Sequence, residues 1–510
     1  MNITYESQRT SARLPIAQRR VPLADGRKND AAPSSAALPL VIDLDGTLIK
    51  TDSTAETLLD ALRHDPSVLW RLPRKLSAGC PAARAFLAGK SSLDVETWPV
   101  HEDFLEYVRC QADEGRTVVL ATSADQTVAE AIAKRFPFIS EVIASDGVSD
   151  MKGADKAKVL QARFPGGYVY AGASAADLAV WEQASASIVV DGSSRVVRSV
   201  SRLNAPLAVF PRPRLTFGVV GRGLRVHQWA KNLLTFIPLL LGGKAGDPGA
   251  WFNATLGFLA FGLVASGTYI INDLWDLPGD RRHWSKHTRP LASGKLSIGA
   301  GLLWAALAMA FGFGLASSLG LTAVVLLAVY VVATLGYSLS LKRVPILDVT
   351  VLAGLFTLRL EYGIVLADVR LSPWLLVFSM FVFTSLSMAK RHAEVLRSAE
   401  KGLASMKERG YLSSDAPLTL GLGLASMLGA LLIMVLYLIE DAFPRGFYAK
   451  PAFLWALPPI LFLFLGRVWL LCQRGQLHDD PVEFATRDRV SVILGIAMTV
   501  SFLTALLASI

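Results

Sequence analysis

The chain has 510 residues, 52% of them apolar, and a formal net charge of +9. The basic residues gather in a few connections between apolar runs, which excludes a nucleic-acid surface as the reason for the charge. Cys80, Cys110 and Cys472 are widely scattered, form no metal-binding spacing and point to a reducing compartment.

Residues 1–36 are polar, carry several arginines and lack an apolar core, so they read as a disordered tail rather than a signal peptide. A soluble domain is expected over 37–205. Its first apolar run, Leu38-Pro-Leu-Val-Ile, ends in Asp43-Leu-Asp45-Gly-Thr47, a buried strand followed by two carboxylates and a tight turn. Further apolar runs at 117–121, 141–144, 167–171 and 187–190 alternate with helical stretches. That alternation predicts a parallel α/β sheet with its site at the strands' carboxyl ends. The mostly helical stretch 53–100 predicts a small cap.

The ordered set Asp43-x-Asp45, Thr122, Lys156 and Asp177 resembles the haloacid dehalogenase superfamily. The resemblance makes Asp43 a nucleophile toward phosphorus and Asp45, two residues on along the same strand side, an acid and base. It assigns Thr122 and Lys156 to phosphate, with Lys152 a rival for the lysine. Asp43, Asp45 and Asp177 would then hold Mg2+. The family's fourth motif usually reads Gly-Asp, whereas here Gly172 is followed by Ala173. A normal magnesium ligand is missing, so the domain is expected to be either a phosphatase or a weakened remnant of one.

After a linker at 206–220, the remainder to 510 reads as an all-α polytopic membrane domain. Nine apolar segments near 229–246, 251–271, 296–317, 319–340, 345–367, 372–389, 417–439, 451–472 and 488–509 are long enough to span a bilayer. Arg281, Arg282, Lys286, Arg289, Lys295, Lys342, Arg343, Lys390, Arg391, Arg397, Lys401, Lys407, Arg409, Arg474, Arg487 and Arg489 lie on one side of these spans. Only Lys244, Arg370, Arg445 and Lys450 lie on the other. Basic loops stay in the cytoplasm, which predicts an inner-membrane protein with its N-terminus inside and its C-terminus outside.

Asn272-Asp273-Leu-Trp-Asp276-Leu-Pro-Gly-Asp280 closes the second segment. Spacings of three and four put the three aspartates on one face if the helix continues, although Pro278-Gly279 can bend it. Clustered carboxylates repel unless a cation bridges them, and oxygen-only ligands suit magnesium between carboxylates and phosphates. The cluster, followed by Lys286-His-Thr-Arg289-Pro-Leu-Ala-Ser-Gly294, resembles the first signature and loop of the UbiA prenyltransferase superfamily. Members that prenylate aromatics carry a second aspartate-rich cluster. Here the corresponding stretch from Tyr337 through Lys342 and Arg343 holds one carboxylate, Asp348.

Three other segments resemble the polyprenyl-phosphate (decaprenyl-phosphate) phosphoribosyltransferase branch. They are Arg225–Asn232, Met388–Glu394 and Pro481–Arg489. The resemblance implies transfer of 5-phosphoribosyl from phosphoribosyl diphosphate to a polyprenyl phosphate, with Mg2+ at Asp273, Asp276 and Asp280. Asn272, Lys231, Tyr337, Lys286, Arg289, Lys342, Lys390, Arg391, Arg487 and Arg489 are the candidate substrate contacts. Arg359 and Glu361 lie inside the fifth segment, where ionisable groups face a cavity or a partner helix; Arg359 is a candidate for phosphate or for such a pairing. Prenyl transfer to an aromatic or other small acceptor is the alternative reaction.

Overall fold

The computed structural model describes residues 38–212, 216–400, 402, 409–446, 448–477, 484 and 488–507. The expected tail at 1–36 lies outside the described residues, as do Lys401, Lys407 and Arg487.

Six strands form one parallel sheet in the order β3-β2-β1-β4-β5-β6. They are β1 (Leu40–Ile42), β2 (Val118–Asp125), β3 (Glu141–Ser145), β4 (Val169–Gly172), β5 (Ala186–Val190) and β6 (Ala208–Phe210). Leu40 and Ile42 pack with Val118, Leu120 and Val169 on one side, while Val41 packs with Val119, Ala121 and Tyr170 on the other. Burial of both faces is why these strands read as unbroken apolar runs instead of alternating ones. Strand β1 is central, and the chain leaves it toward β2 on one side and β4 on the other. That reversal opens a crevice beyond its carboxyl end, where Asp43 stands. Strand β6 falls within the stretch expected as linker, so the sheet extends further along the chain than the apolar runs indicated.

The helices of this region are α1 (Ser53–His64), α2 (Val68–Leu76), α3 (Cys80–Ala88), α4 (Glu102–Asp113), α5 (Gln126–Arg135), α6 (Gly153–Arg163), α7 (Leu178–Trp181) and α8 (Ser194–Leu203). The first three form the cap between β1 and β2. Helix α1 begins at Asp52, whose carboxylate accepts from the Ala55 amide at 2.8 Å and satisfies an otherwise orphan donor.

The second region begins with α9 (Phe217–Gly223) and α10 (Ile237–Leu241). The long helices follow: α11 (Pro248–Trp275), α13 (Ile298–Ser317), α14 (Leu321–Leu339), α15 (Leu347–Ala367), α16 (Pro373–Glu400), α17 (Ala416–Tyr437), α18 (Leu457–Gln473) and α19 (Arg489–Leu507), with the short α12 (Leu277–Arg282) after α11. Among the described residues, eight helices are long and apolar enough to cross a membrane. Leu303, Phe311, Val325 and Val332 stay exposed on α13 and α14, as lipid-facing positions do.

Among the described residues, long helices therefore account for eight of the nine expected spans. The segment expected first, 229–246, is a tight 3₁₀ helix over Val226–Phe236 that runs into α10 and stops at Gly242-Gly243. It packs closely on α15. A Cβ at Gly363 would sit 2.2 Å from the Thr235 carbonyl oxygen, so only glycine permits that approach.

Candidate functional site

In the membrane region, Asn272 and Asp273 lie in the last turn of α11, and Asp276 caps its end. The Asp276 amide donates to the Asn272 carbonyl, and the Asp280 amide donates to Asp276 across the bend at Pro278. The helix is interrupted at Asp276 and resumes as α12, and the aspartates divide between two sets of partners. Asp273 and Asp280 are both buried and both pair with Arg289, at 3.0 Å in the case of Asp273. Asp276 turns to Lys342 after α14, 2.8 Å away, and Lys286 stands 3.8 Å from Asp280. Asp273 also pairs with Arg225, a residue in left-handed backbone (φ 50°). The turn around Arg225 is held by Ser266, which donates to the Leu224 carbonyl at 2.7 Å and accepts from the Trp229 indole at 3.0 Å.

Each carboxylate therefore already faces a cation, from the following loop for Asp280 and from more distant parts of the chain for Asp273 and Asp276. Among the described residues, no three acidic, histidine or cysteine side chains gather closely enough to hold a metal by themselves. The all-oxygen donor set nevertheless fits magnesium in its usual protein setting, where one or two carboxylates share the ion with substrate phosphates.

The stretch of the second cluster is built differently. Asp348 is fully buried; it accepts from the Tyr411 hydroxyl at 2.8 Å and pairs with Arg391 at 2.8 Å. Arg391 also pairs with Glu394 and is itself 1% exposed. The Tyr337 hydroxyl accepts from Arg409 at 2.5 Å. Arg359 donates to Asn232 at 2.9 Å and to the Leu355 carbonyl at 2.5 Å. Its guanidinium lies 4.9 Å from the Phe261 ring centre and 5.2 Å from that of Tyr330. It is a buried cation held by amide, carbonyl and aromatic faces. Lys231 sits 5.8 Å from the Phe356 ring. Lys390 and Glu361 are half-buried on α16 and α15, and Arg489 is exposed at the start of α19. Arg359 and Arg489 lie outside the set of cations that meets the aspartates.

In the soluble region, Asp43 follows β1 and its carboxylate receives the Lys156 ammonium at 2.8 Å. Lys156 also donates to the Tyr170 hydroxyl at 3.1 Å and stands 3.8 Å from Asp177. Lys152, the rival, is exposed. One oxygen of Asp177 accepts from Tyr170 at 2.7 Å, and the other from the Ser174 amide and hydroxyl at 2.9 and 2.8 Å. Asp45 accepts from the Ser53 amide and hydroxyl at 2.7 and 2.9 Å. Thr122 is buried and its hydroxyl accepts from the Ala124 amide at 3.1 Å.

Burial, with Lys156 opposing it, pushes the Asp43 carboxyl up to about 6. Burial together with the charges of Asp52 and Asp43 pushes Asp45 up to about 8. Asp177 spends both oxygens on its own loop and on Tyr170, and Ala173 offers no carboxylate. The residues present therefore fall short of a three-carboxylate magnesium site.

Two residues in these clusters were not singled out from the sequence as site residues. Arg225 opens one of the segments resembling the phosphoribosyltransferase branch, and that membership was its signal. Tyr170 had no signal beyond its place in an apolar strand.

The haloacid dehalogenase-like hydrolase profile matches residues 40–182, and the UbiA prenyltransferase family profile matches residues 233–487. The chain is 41% identical over 471 residues to the uncharacterized protein y4nM of Sinorhizobium fredii, covering 92% of this chain and 91% of that one. It is 31% identical to nodulation protein NoeC of Azorhizobium caulinodans, over 57% of this chain and 94% of that one. It is also 31% identical to decaprenyl-phosphate phosphoribosyltransferase of Mycolicibacterium smegmatis, over 56% of this chain and 92% of that one. Aspartates and cations gathered at the end of a long apolar helix, and family matches on both regions, lead to one conclusion: this chain is a multi-pass membrane transferase of the UbiA prenyltransferase family that also carries a haloacid dehalogenase-like domain.

Proposed function

We propose that the membrane region transfers a 5-phosphoribosyl group from phosphoribosyl diphosphate to a polyprenyl phosphate, releasing diphosphate. A lipid phosphate oxygen forms the new bond to ribose C1 as the bond from C1 to the diphosphate oxygen breaks. The acceptor is already ionised, so no general base is required. The observation that carries this reading is the state of Asp348, the one carboxylate in the stretch of the second cluster, which is buried against Arg391 and Tyr411. That leaves a single acidic cluster facing several cations, an arrangement suited to one diphosphate and an anionic acceptor. Support also comes from the similarity to the Mycolicibacterium enzyme.

Magnesium bound by Asp273, Asp276 and Asp280 would supply charge neutralisation for the departing diphosphate. Arg225, Arg289, Lys286 and Lys342 orient the same group through charge-assisted hydrogen bonds. Asn272, Tyr337, Lys231, Lys390, Arg487 and Arg489 remain proposed contacts from resemblance, and Arg359 from its place inside an apolar segment, whereas Arg391 is already paired with Asp348 and Glu394. The reading places both sites at the cytoplasmic face of the inner membrane, with the C-terminus outside if 226–241 also crosses. End to end, eleven 3₁₀ residues and five α-helical ones measure roughly 30 Å, the thickness of a bilayer core.

The dehalogenase-like domain would then remove the ribose 5-phosphate, giving polyprenylphosphoryl ribose. Asp43 attacks phosphorus as the bond to the ribose 5-oxygen breaks, Asp45 supplies the proton to that oxygen, and water, deprotonated by Asp45, then releases phosphate from the aspartyl-phosphate. Incubating the purified protein with labelled phosphoribosyl diphosphate and polyprenyl phosphate, then resolving the lipids by thin-layer chromatography, tests the transfer. Product formed only from a prenyl diphosphate and a small acceptor would replace this reading with prenyl transfer.

A further inference from the structure

The dehalogenase-like domain touches the membrane region at the aspartate cluster itself. Arg63, near the end of α1, donates from Nε to the Trp275 carbonyl at 2.9 Å and from Nη2 to the Leu274 carbonyl at 2.8 Å. These carbonyls belong to the last turn of α11, where helix geometry leaves acceptors without intrahelical donors. They also lie between Asp273 and Asp276. A cationic fork on a helix C-terminus satisfies the acceptors and complements the helix dipole at once.

Two turns earlier on the same helical face, Glu56 grips Arg281 through both oxygens, at 2.6 and 3.1 Å. Both side chains are about 5–6% exposed, so this is a desolvated two-point pair rather than a surface contact. Arg281 immediately follows Asp280. Further on, Gly294 (φ +70°) closes the basic loop against the turn of the first motif. A Cβ there would lie 2.7 Å from that of Lys50 and 3.1 Å from Pro99. The first residue of the same α1 helix, Ser53, holds Asp45. A 12-residue strut about 18 Å long therefore stands between the two sites.

We propose that Arg63 and Glu56 are positioning residues for the transferase. They fix the end of α11 and the start of the basic loop, so that Asp273, Asp276 and Asp280 meet the donor diphosphate in register. The role is independent of any phosphatase chemistry in the domain that supplies them. It rests on the aspartate cluster being the diphosphate site, but not on which group is transferred.

The test uses the full chain in membranes, with transfer measured from whichever diphosphate donor the wild type accepts while donor and magnesium are varied. Losing one or two of these anchors should loosen ligand geometry more than the bond-breaking step. Arg63→Ala should raise both the KM for donor and the magnesium needed for half-maximal rate by about tenfold, with kcat less affected. Arg63→Lys keeps the charge but not the fork, and should give about a threefold rise. Glu56→Gln should give about a fivefold rise. The double variant Glu56→Gln with Arg281→Gln should be little worse than Glu56→Gln alone, because the pair is already broken. If Arg63→Ala does not accumulate in the membrane, the Lys and Gln variants decide. Wild-type KM and magnesium dependence in those folded variants would overturn the proposal. A wild type that moves a prenyl group would refute the substrate reading, while the variant-to-wild-type ratios would still judge the positioning.

Discussion

Among the described residues, Asp43, Asp45 and Asp177 have one cation among them, Lys156, whereas Asp273, Asp276 and Asp280 are met by Arg225, Arg289, Lys286 and Lys342. In the soluble cluster burial pushes the Asp43 and Asp45 carboxyls upward, while hydrogen bonds from Lys156 and Ser53 hold them back in part. In the membrane cluster every carboxylate is matched by a cation that a phosphate ligand can take over. Under the proposed function, the first arrangement suits slow acid–base chemistry and the second a highly anionic substrate.

The harshest way to break this comparison is to remove a membrane carboxylate. Asp273→Asn or Asp276→Asn should lower lipid transfer by about a thousandfold with little effect on folding, because each removes a candidate metal ligand rather than core packing. Labelled lipid formed per minute measures it, and a magnesium chelator should reproduce it in the wild type. Full turnover in the chelator would end the metal assignment.

Next in size is repair of the soluble site. The Ala173 Cβ lies 3.5 Å from where a Gly46 side chain would begin, so position 173 faces the first-motif turn. Ala173→Asp should raise hydrolysis of a generic phosphate ester by about a hundredfold in high magnesium, and Asp43→Asn should remove what activity there is. A fast wild type that gains nothing from Ala173→Asp would mean that the deficit of ligands is only apparent.

A pH scan sharpens the contrast. His101 packs beside the first-motif turn, and burial, aided by the charge of Lys50, lowers its pKa to about 4. The folded domain thus binds this proton more weakly than the unfolded chain does. Its contribution to stability is complete above about 6.5 and is lost as the pH falls from there toward 4, by about 2 kcal/mol at pH 5. The first thermal transition of the full chain should fall over that window, and His101→Gln should flatten the fall. The raised carboxyls act in the opposite direction, so the variant-minus-wild-type difference is the quantity to plot.

The smallest expected effect concerns single members of a redundant set. Arg225→Ala or Lys342→Ala should each raise the KM for the diphosphate donor by about tenfold while transfer persists, since other cations remain. Initial-rate measurements across donor concentrations decide this. An unchanged KM would show that the cation does not meet the diphosphate.

Much of the architecture was legible because it depends on local composition. Apolar runs of strand length separated by helices specified the parallel sheet, and the long apolar segments from 251 onward became helices, α16 running on past the expected 389 to Glu400. The aspartate signature and the alanine in the fourth motif were equally readable as letters. The segment at 229–246 misled because hydropathy reports length and apolarity but not helix type. Its 3₁₀ form is bound up with the close approach to α15 at Gly363. Strand β6 is only three residues long, too short to announce itself, and it exists because β5 offers an edge to pair with.

The sequence by itself determined which ionisable groups the chain owns, which of them lie near apolar boundaries, and that two phosphate-handling motifs share one polypeptide. Only the tertiary structure decided how those charges are paired. Arg225 reaches Asp273 across 48 positions, Lys342 reaches Asp276 across 66, and Arg281 reaches Glu56 across 225. Arg391, an equally plausible phosphate ligand by residue type, is instead consumed by Asp348 and Glu394 inside the protein. The reason is physical: a buried charge must find a partner within a few ångströms. Which partner lies that close is set by the packing of helices far apart in the chain.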